Sequence, residues 1–307
     1  MTTELAWLDK TLTFVITAND EAALLCEHSR VDGTSLHGLG HALARTQTDH
    51  NNEAAVRFSG SSLKDFYTYL PAVLPPGLEG TVLRLRSNLW EAVRNWTICH
   101  QILAGLNSSS LCSYRLPLKS VVHVVIQAAL RLHFGYSPNS MDVASQRHFR
   151  NGRVELFNPT TREVIAFCDV LWNPAAANTT QERRKMFLNA VRSYSRLFAL
   201  MTWGRGWWNH TSFLEEQLRP GEILPALLTD PLYRRLKAER QKAFTSFIDF
   251  GLTEMGQCWD NRDIIYMTIH LCEDSVGVAT INGDGRGKEF AADLQEAFRK
   301  IKQLVDE

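Results

Sequence analysis

Residues Thr11–Gly33 read TLTFVITANDEAALLCEHSRVDG. Thr11–Ile16 and Ala22–Cys26 are short apolar runs, split by the polar Thr17–Glu21 with its Asn19–Asp20 pair. The pattern predicts two paired strands joined by a tight polar turn. His28 stands where the second strand ends, and Asp32 follows just before Gly33. A strand end that opens into a loop is where a rigid scaffold presents reactive groups. There His28 is placed to take the proton of an attacking hydroxyl or thiol. Asp32 would fix the local geometry, and Gly33 would permit the turn into a helix starting near Ser35. The alternative is a hydrogen-bonded histidine at a strand end.

With 307 residues the chain has length for about two domains and a sizeable core. Lys plus Arg and Asp plus Glu are equal at 33 each, which argues against a general nucleic-acid or membrane-surface binder. Six cysteines (Cys26, Cys99, Cys112, Cys168, Cys258 and Cys272) lie far apart with no C-x-x-C pair, so free thiols of a cytoplasmic protein are expected and zinc is not. The opening MTTELAWLDK is too polar for a signal peptide, and no apolar run reaches the roughly 20 residues of a membrane span.

Beyond Gly33, Leu36, Leu39 and Leu43 form a helical stripe. His37 and His41 share a face at metal-ligand spacing, but without an acidic or cysteine companion a solvated face is the expectation. The polar Gln47–Ser62 reads as a connection and domain boundary, and Tyr69–Gly80, with Pro71, Pro75 and Pro76, as a second break. Asn88 with Glu91 predicts a helix start, continuing to about Leu106. Ser120–Phe134 reads as a buried helix stopped by Gly135, although its β-branched start also suits a strand. Thr179 and Glu182 form a capping box for a helix to about Trp203, and its Arg183–Lys185 run is a solvated face. Leu214–Lys242 is helical in parts between Pro220, Pro225 and Pro231. Ile265, Met267, Ile269 and Leu271 alternate as a strand does, and Val276–Ile281 is a second strand. Asn282–Lys288 (NGDGRGK) reads as a connecting loop, because a phosphate cradle would need a G-K-[ST] ending. Phe290, Leu294, Ala297, Phe298, Ile301 and Leu304 make one stripe of a last helix. The fold class is mixed α/β (α+β), with helices flanking a largely apolar sheet.

In order and spacing, several segments together resemble the carnitine/choline acyltransferase family. They are WLDKTLTFVI with LLCEHSRVDG, IQAALRLHFG, ASQRHFRNGRVE (Ala144–Glu155), GRGWWNHTSFL (Gly204–Leu214) and the final strand-loop-helix. The resemblance covers most of this chain but only the C-terminal half of a full member. It implies a chloramphenicol-acetyltransferase-like mixed sheet flanked by helices, as part of a two-domain enzyme with its active site in a tunnel between the domains. Residues 1–60 would then end the first domain and carry the catalytic histidine, and residues 61–307 would form the second. His28 would be the general base for direct transfer from thioester to oxygen, with Asp32 beside it.

The departures from the family pattern concern both substrates. Carnitine-specific members carry an acceptor-site tyrosine, threonine and arginine; the corresponding positions here are Met141, Val154 and Asn209. A bidentate arginine–carboxylate pair is a strong recognition element that asparagine cannot supply, so carnitine is not the expected acceptor. Choline acetyltransferases carry valine and asparagine at two of these positions, which suits a neutral or cationic alcohol. The hydroxyl-bearing oxyanion motif of the family falls at Glu254–Gly256, and losing one oxyanion donor costs about 10²–10³-fold. The lysines that hold the 3′-phosphate of coenzyme A fall at Ser108 and Cys112, leaving Arg115 and Lys119 as the nearby cations.

A carrier-protein phosphopantetheine thioester, lacking that phosphate, fits these changes. The pattern resembles the carnitine-acyltransferase-like terminal domain of fungal highly reducing polyketide synthases. The expected function is O-acyl transfer between acyl-phosphopantetheine or acyl-CoA and a small hydroxylated acceptor, with no permanently bound cofactor. The other reading is a catalytically impaired half-enzyme that binds an acyl carrier protein or a missing N-terminal half. A serine hydrolase is disfavoured, because no G-x-S-x-G elbow occurs.

Overall fold

The computed structural model describes residues 10–16, 19, 22–27, 31, 33, 35, 36, 38–40, 42, 43, 75–94, 96–106, 111, 115–152, 154–173, 179–219, 221–238, 242–248, 264–271, 275–283 and 285–306. The chain divides into two compact units, residues 1–95 and 96–307. This division falls later than the Gln47–Ser62 connection, which lies outside the described residues, as do His37 and His41.

In the first unit, β1 (Leu12–Ile16) and β2 (Ala22–Cys26) pair antiparallel, with Leu12 opposite Cys26 and Ile16 opposite Ala22. The hairpin expected from the alternation of apolar runs and a polar turn is present. The described residues between 33 and 43 are helical, as the leucine spacing predicts. Helix α1 spans Leu78–Val93 and is entered through Gly77 at φ 85°. Here the sequence reading needs correction: Asn88 lies inside this helix rather than capping it, and the helix ends before the region expected to extend it.

That region is instead the strand β3 (Thr97–Ala104), the first of the second unit. β3 takes one edge of a six-stranded mixed sheet. Its partners in chain order are β4 (Ser140–Ser145), β5 (Val154–Phe157), β6 (Ala243–Ile248), β7 (Ile265–Leu271) and β8 (Ser275–Asn282). The spatial order is β3-β8-β7-β6-β4-β5, with β4, β6 and β7 parallel and the remaining pairs antiparallel. The helices of this unit are α2 (Leu118–Phe134), α3 (Arg162–Trp172), α4 (Thr180–Thr202), α5 (Trp208–Glu216), the single turn α6 (Ala226–Thr229), α7 (Pro231–Ala238) and α8 (Gly287–Asp306).

Local chemistry accounts for the helix limits. Gly135, at φ 75°, ends α2, because the left-handed cap conformation costs glycine nothing. Thr179 accepts from the Glu182 N–H at 3.1 Å while the Glu182 carboxylate accepts from the Thr179 N–H at 3.1 Å, completing the expected capping box of α4. Thr161 caps α3 by accepting from the Val164 N–H.

One face of the sheet carries the core. Ile265, Met267 and Ile269 of β7 and Val276 and Val278 of β8 pack with α2, α3, α4 and α8. All six apolar residues of the α8 stripe are buried there. The near-continuous apolar sequence of α2 follows from its position, since Val121–Leu130 is buried on every side. On the opposite face, Tyr266 and Ile281 pack with Ile264, Trp96 and Phe244. No helix among the described residues is long and apolar enough to cross a membrane.

Candidate active site

The candidate site in the second unit is built on β4, β5 and the start of α5. In β5 the side chains alternate, so Glu155 and Phe157 are buried while Val154 and Leu156 are half-buried. Asn209, in the first turn of α5, donates from its side-chain amide to the Val154 carbonyl at 2.6 Å. Two residues expected at the acceptor site from separate segments are thereby in direct contact. Met141, the third, is buried in β4 beside Phe244 of β6, its register partner.

Glu155 holds this arrangement together. The residue before α5, Trp207, offers no side-chain cap, so the first N–H groups of the helix need an acceptor from elsewhere. The Glu155 carboxylate supplies it, accepting from the Asn209 N–H at 3.3 Å and also from the Trp208 N–H. Negative charge at a helix N-terminus is electrostatically favourable. Gln146, after β4, donates to the same carboxylate at 3.4 Å and to the Met201 carbonyl at 3.0 Å. Burial nevertheless raises the Glu155 carboxyl above its ordinary range, against the opposing pull of these bonds. Gly206 lies directly on the carboxylate, where a Cβ would collide with it. The sequence reading did not single out Glu155; its signal is an acid on the same strand face as Phe157.

Beneath β4 lies a second polar group that was not read from the sequence. Asp142 is fully buried; Tyr194 of α4 donates to one of its oxygens at 2.5 Å and the Val143 N–H to the other at 2.7 Å. His123 of α2 stacks on Tyr194 with ring centroids 4.1 Å apart, and neither ring nitrogen has a hydrogen-bond partner among the described residues. The Lys119 ammonium sits 3.6 Å from the centre of the Phe198 ring. Burial holds Lys119 below the usual lysine range, with Asp142 opposing. Burial and Asp142 together hold the Tyr194 hydroxyl well above the usual phenol range. Of the two expected donor-site cations, Lys119 is therefore half-buried against an aromatic ring. Arg115 is exposed, with its backbone at φ 52°.

Burial lowers the His123 pKa to about 4, with Asp142 opposing the shift and Lys119 adding to it. An unfolded histidine protonates near 6.5, so between the two values the unfolded chain binds the extra proton and stability falls as the pH is lowered. The expected loss is about 2 kcal/mol by pH 5, approaching about 3 kcal/mol below pH 4. Urea unfolding at a series of pH values checks this. His123→Gln should flatten the curve between pH 7 and pH 5, and an unchanged slope would refute the assignment.

His28, Asp32, Glu254 and Gly256 lie outside the described residues, so the histidine loop and the Glu254–Gly256 segment remain expectations from the sequence.

Among solved structures, the chain aligns with a chloramphenicol acetyltransferase at TM-score 0.38 and 9% identity, over 71% of this chain and 92% of that one. It also aligns with the epimerization domain from the third module of tyrocidine synthetase B at TM-score 0.45 and 10% identity, over 96% and 72%. Among characterised sequences, the highly reducing polyketide synthase ltbA of Aspergillus luteorubrus is 24% identical over 97% of this chain and 10% of its own length. Choline O-acetyltransferase of Sus scrofa is 25% identical over 74% of this chain and 35% of its own length. The chain thus spans about a tenth of the synthase and about a third of the acetyltransferase. The profile of the Choline/Carnitine o-acyltransferase family matches residues 3–293, nearly the whole chain. With that extent of match, the chain belongs to the choline/carnitine O-acyltransferase family.

Proposed function

We propose that this chain transfers an acyl group from a carrier-bound phosphopantetheine thioester to a small neutral or cationic alcohol, with His28 as general base. The imidazole takes the hydroxyl proton as the acceptor oxygen attacks the thioester carbonyl, and a tetrahedral oxyanion forms. Collapse breaks the C–S bond, and the departing thiolate recovers the proton from the imidazolium. The products are an ester and a free thiol, with no acyl-enzyme. Acyl-CoA would run the same steps, and no permanently bound cofactor takes part.

The carrying observation is the Asn209 amide on the Val154 carbonyl. Committed to backbone, this side chain offers none of the paired N–H groups with which a guanidinium grips a carboxylate, which supports an acceptor other than carnitine. The donor assignment draws support from Lys119, whose ammonium is engaged with Phe198. A thioester donor without a 3′-phosphate does not need that cation. The dispersed cysteines fit a cytoplasmic setting.

The test is product mass after incubating the protein with hexanoyl-loaded acyl carrier domain or hexanoyl-CoA and a panel of polyols, choline and carnitine. Ester products with polyols or choline, and none with carnitine, are expected. A carnitine ester as the main product would overturn the acceptor assignment. The departure of Glu254–Gly256 from the family's hydroxyl-bearing oxyanion motif supports one competing reading, a domain that binds a carrier or partner without turnover. Absence of product from either donor would select it.

A further inference from the structure

The charge balance of the whole chain conceals a local excess. After Glu182 the helix α4 contains no acidic residue, and its exposed side carries Arg192 and Arg196 before ending at Leu200 and Trp203. Leu200 and Trp203 are 38% and 68% exposed. Arg205 follows, and Arg196, Ala199, Leu200, Trp203 and Arg205 line a shallow cleft of about 470 Å³. The loop after β4 adds His148, whose ring meets Trp203 edge-on at 5.4 Å, with Arg147 and Arg150 exposed beside it. Two acids meet this part of α4 among the described contacts: Asp142, fully buried, accepts from Tyr194, and Glu163 of α3, exposed, accepts from Ser193. Exposed aromatic and apolar groups ringed by cations fit a protein partner with acidic groups around an apolar contact.

The patch also adjoins the acceptor site. Gln146, at the start of the His148 loop, links the Met201 carbonyl of α4 to the Glu155 carboxylate. Arg205 precedes Gly206, which lies on that carboxylate. A partner seated on α4 and the loop is therefore braced against the elements that hold Asn209.

We propose that the exposed face of α4 with Trp203, Arg205 and the 147–150 loop is the docking surface for an acidic carrier domain that presents the acyl-phosphopantetheine donor. The assignment rests on the carrier-borne thioester proposed above. Docking of this kind relies on charge for encounter and orientation and on Trp203 as the apolar anchor.

The experiment measures binding and turnover separately, with the full chain and a hexanoyl-loaded acyl carrier domain. Arg192→Glu, Arg196→Glu and Arg205→Glu are combined in one variant; all three side chains are exposed, and a melting curve checks the fold. The dissociation constant for the carrier domain is expected to rise about tenfold or more in this variant, and its dependence on salt to weaken. Trp203→Ala should weaken binding without changing the salt dependence. Turnover of hexanoyl-CoA should be unchanged in both variants.

Carrier binding that is equal in wild type and the charge-reversed variant overturns the proposal, as does wild type that fails to bind the carrier domain. Duplex DNA held by the same residues as tightly as the carrier would also overturn it. The catalytic reading fails separately: patch-dependent binding without ester formation removes the transferase assignment and leaves the docking surface standing. Ester formation from the carrier thioester that ignores charge reversal removes the docking surface and leaves the transferase.

Discussion

Replacing His28 by alanine is expected to lower acyl transfer by about 10²–10⁴-fold, the usual contribution of a positioned general base. An alcohol hydroxyl is a poor nucleophile until its proton is being removed, and thioester acyl transfer to oxygen depends on that removal at neutral pH. The loss should fall on kcat, with the acceptor KM little changed, because the imidazole acts on the proton in the transition state rather than gripping the ground state. The wild-type rate should also fall on acidification, because a protonated imidazole cannot take the hydroxyl proton. That limb should vanish from the residual activity of His28→Ala. A variant that kept wild-type turnover would remove His28 from the mechanism. Asp32→Asn offers a graded companion, expected to lower the rate less than His28→Ala because it alters only the orientation of the base.

How far the sequence revealed this architecture depended on whether the signal was local. The Thr179–Glu182 capping box, Gly135 at the end of α2, the alternation of β7 and the apolar stripe of α8 each arise within a few residues, and each was read correctly. β3 was missed because no proline or glycine separates it from α1, so the helix seemed to run on. Its alternation is unusual as well: Ile98 and Ile102 are exposed, and Cys99 and Gln101 point to the opposite face. β6 and α3 were also unread; β6 is held by β4 and β7, which are distant in sequence. In the candidate site, Met141, Val154 and Asn209 were recognisable through the family pattern. The contact between Asn209 and Val154 spans 55 positions, and the buried His123–Tyr194–Asp142 group joins two helices and a strand. Neither leaves a periodic mark in the sequence.

Gly206→Ala is expected to destabilise the second unit by about 1–3 kcal/mol, the usual cost of forcing an extra methyl into a packed site. The backbone of Gly206 is not in a left-handed conformation, so the cost comes from space alone. The new Cβ would meet the Glu155 carboxylate, which is buried and bonded to the N–H groups of Trp208 and Asn209 and to Gln146. To make room, the carboxylate must leave the N-terminus of α5, whose first N–H groups then lose their acceptor. Asn209 loses its backbone anchor with them, so the acceptor KM should rise about tenfold while the response to donor concentration stays as in wild type, a change of about 1.4 kcal/mol. Shortening the acid tests the cause. Glu155→Asp alone draws the carboxylate back from α5 and should also destabilise, but in the Gly206→Ala background it frees space where the methyl needs it. The double variant should therefore be more stable than the sum of the two single losses, by about 0.5–3 kcal/mol of coupling. Urea unfolding of the four proteins measures that term directly. Additive losses would mean that Gly206 and Glu155 act independently, and the cap on α5 would then have to come from another group.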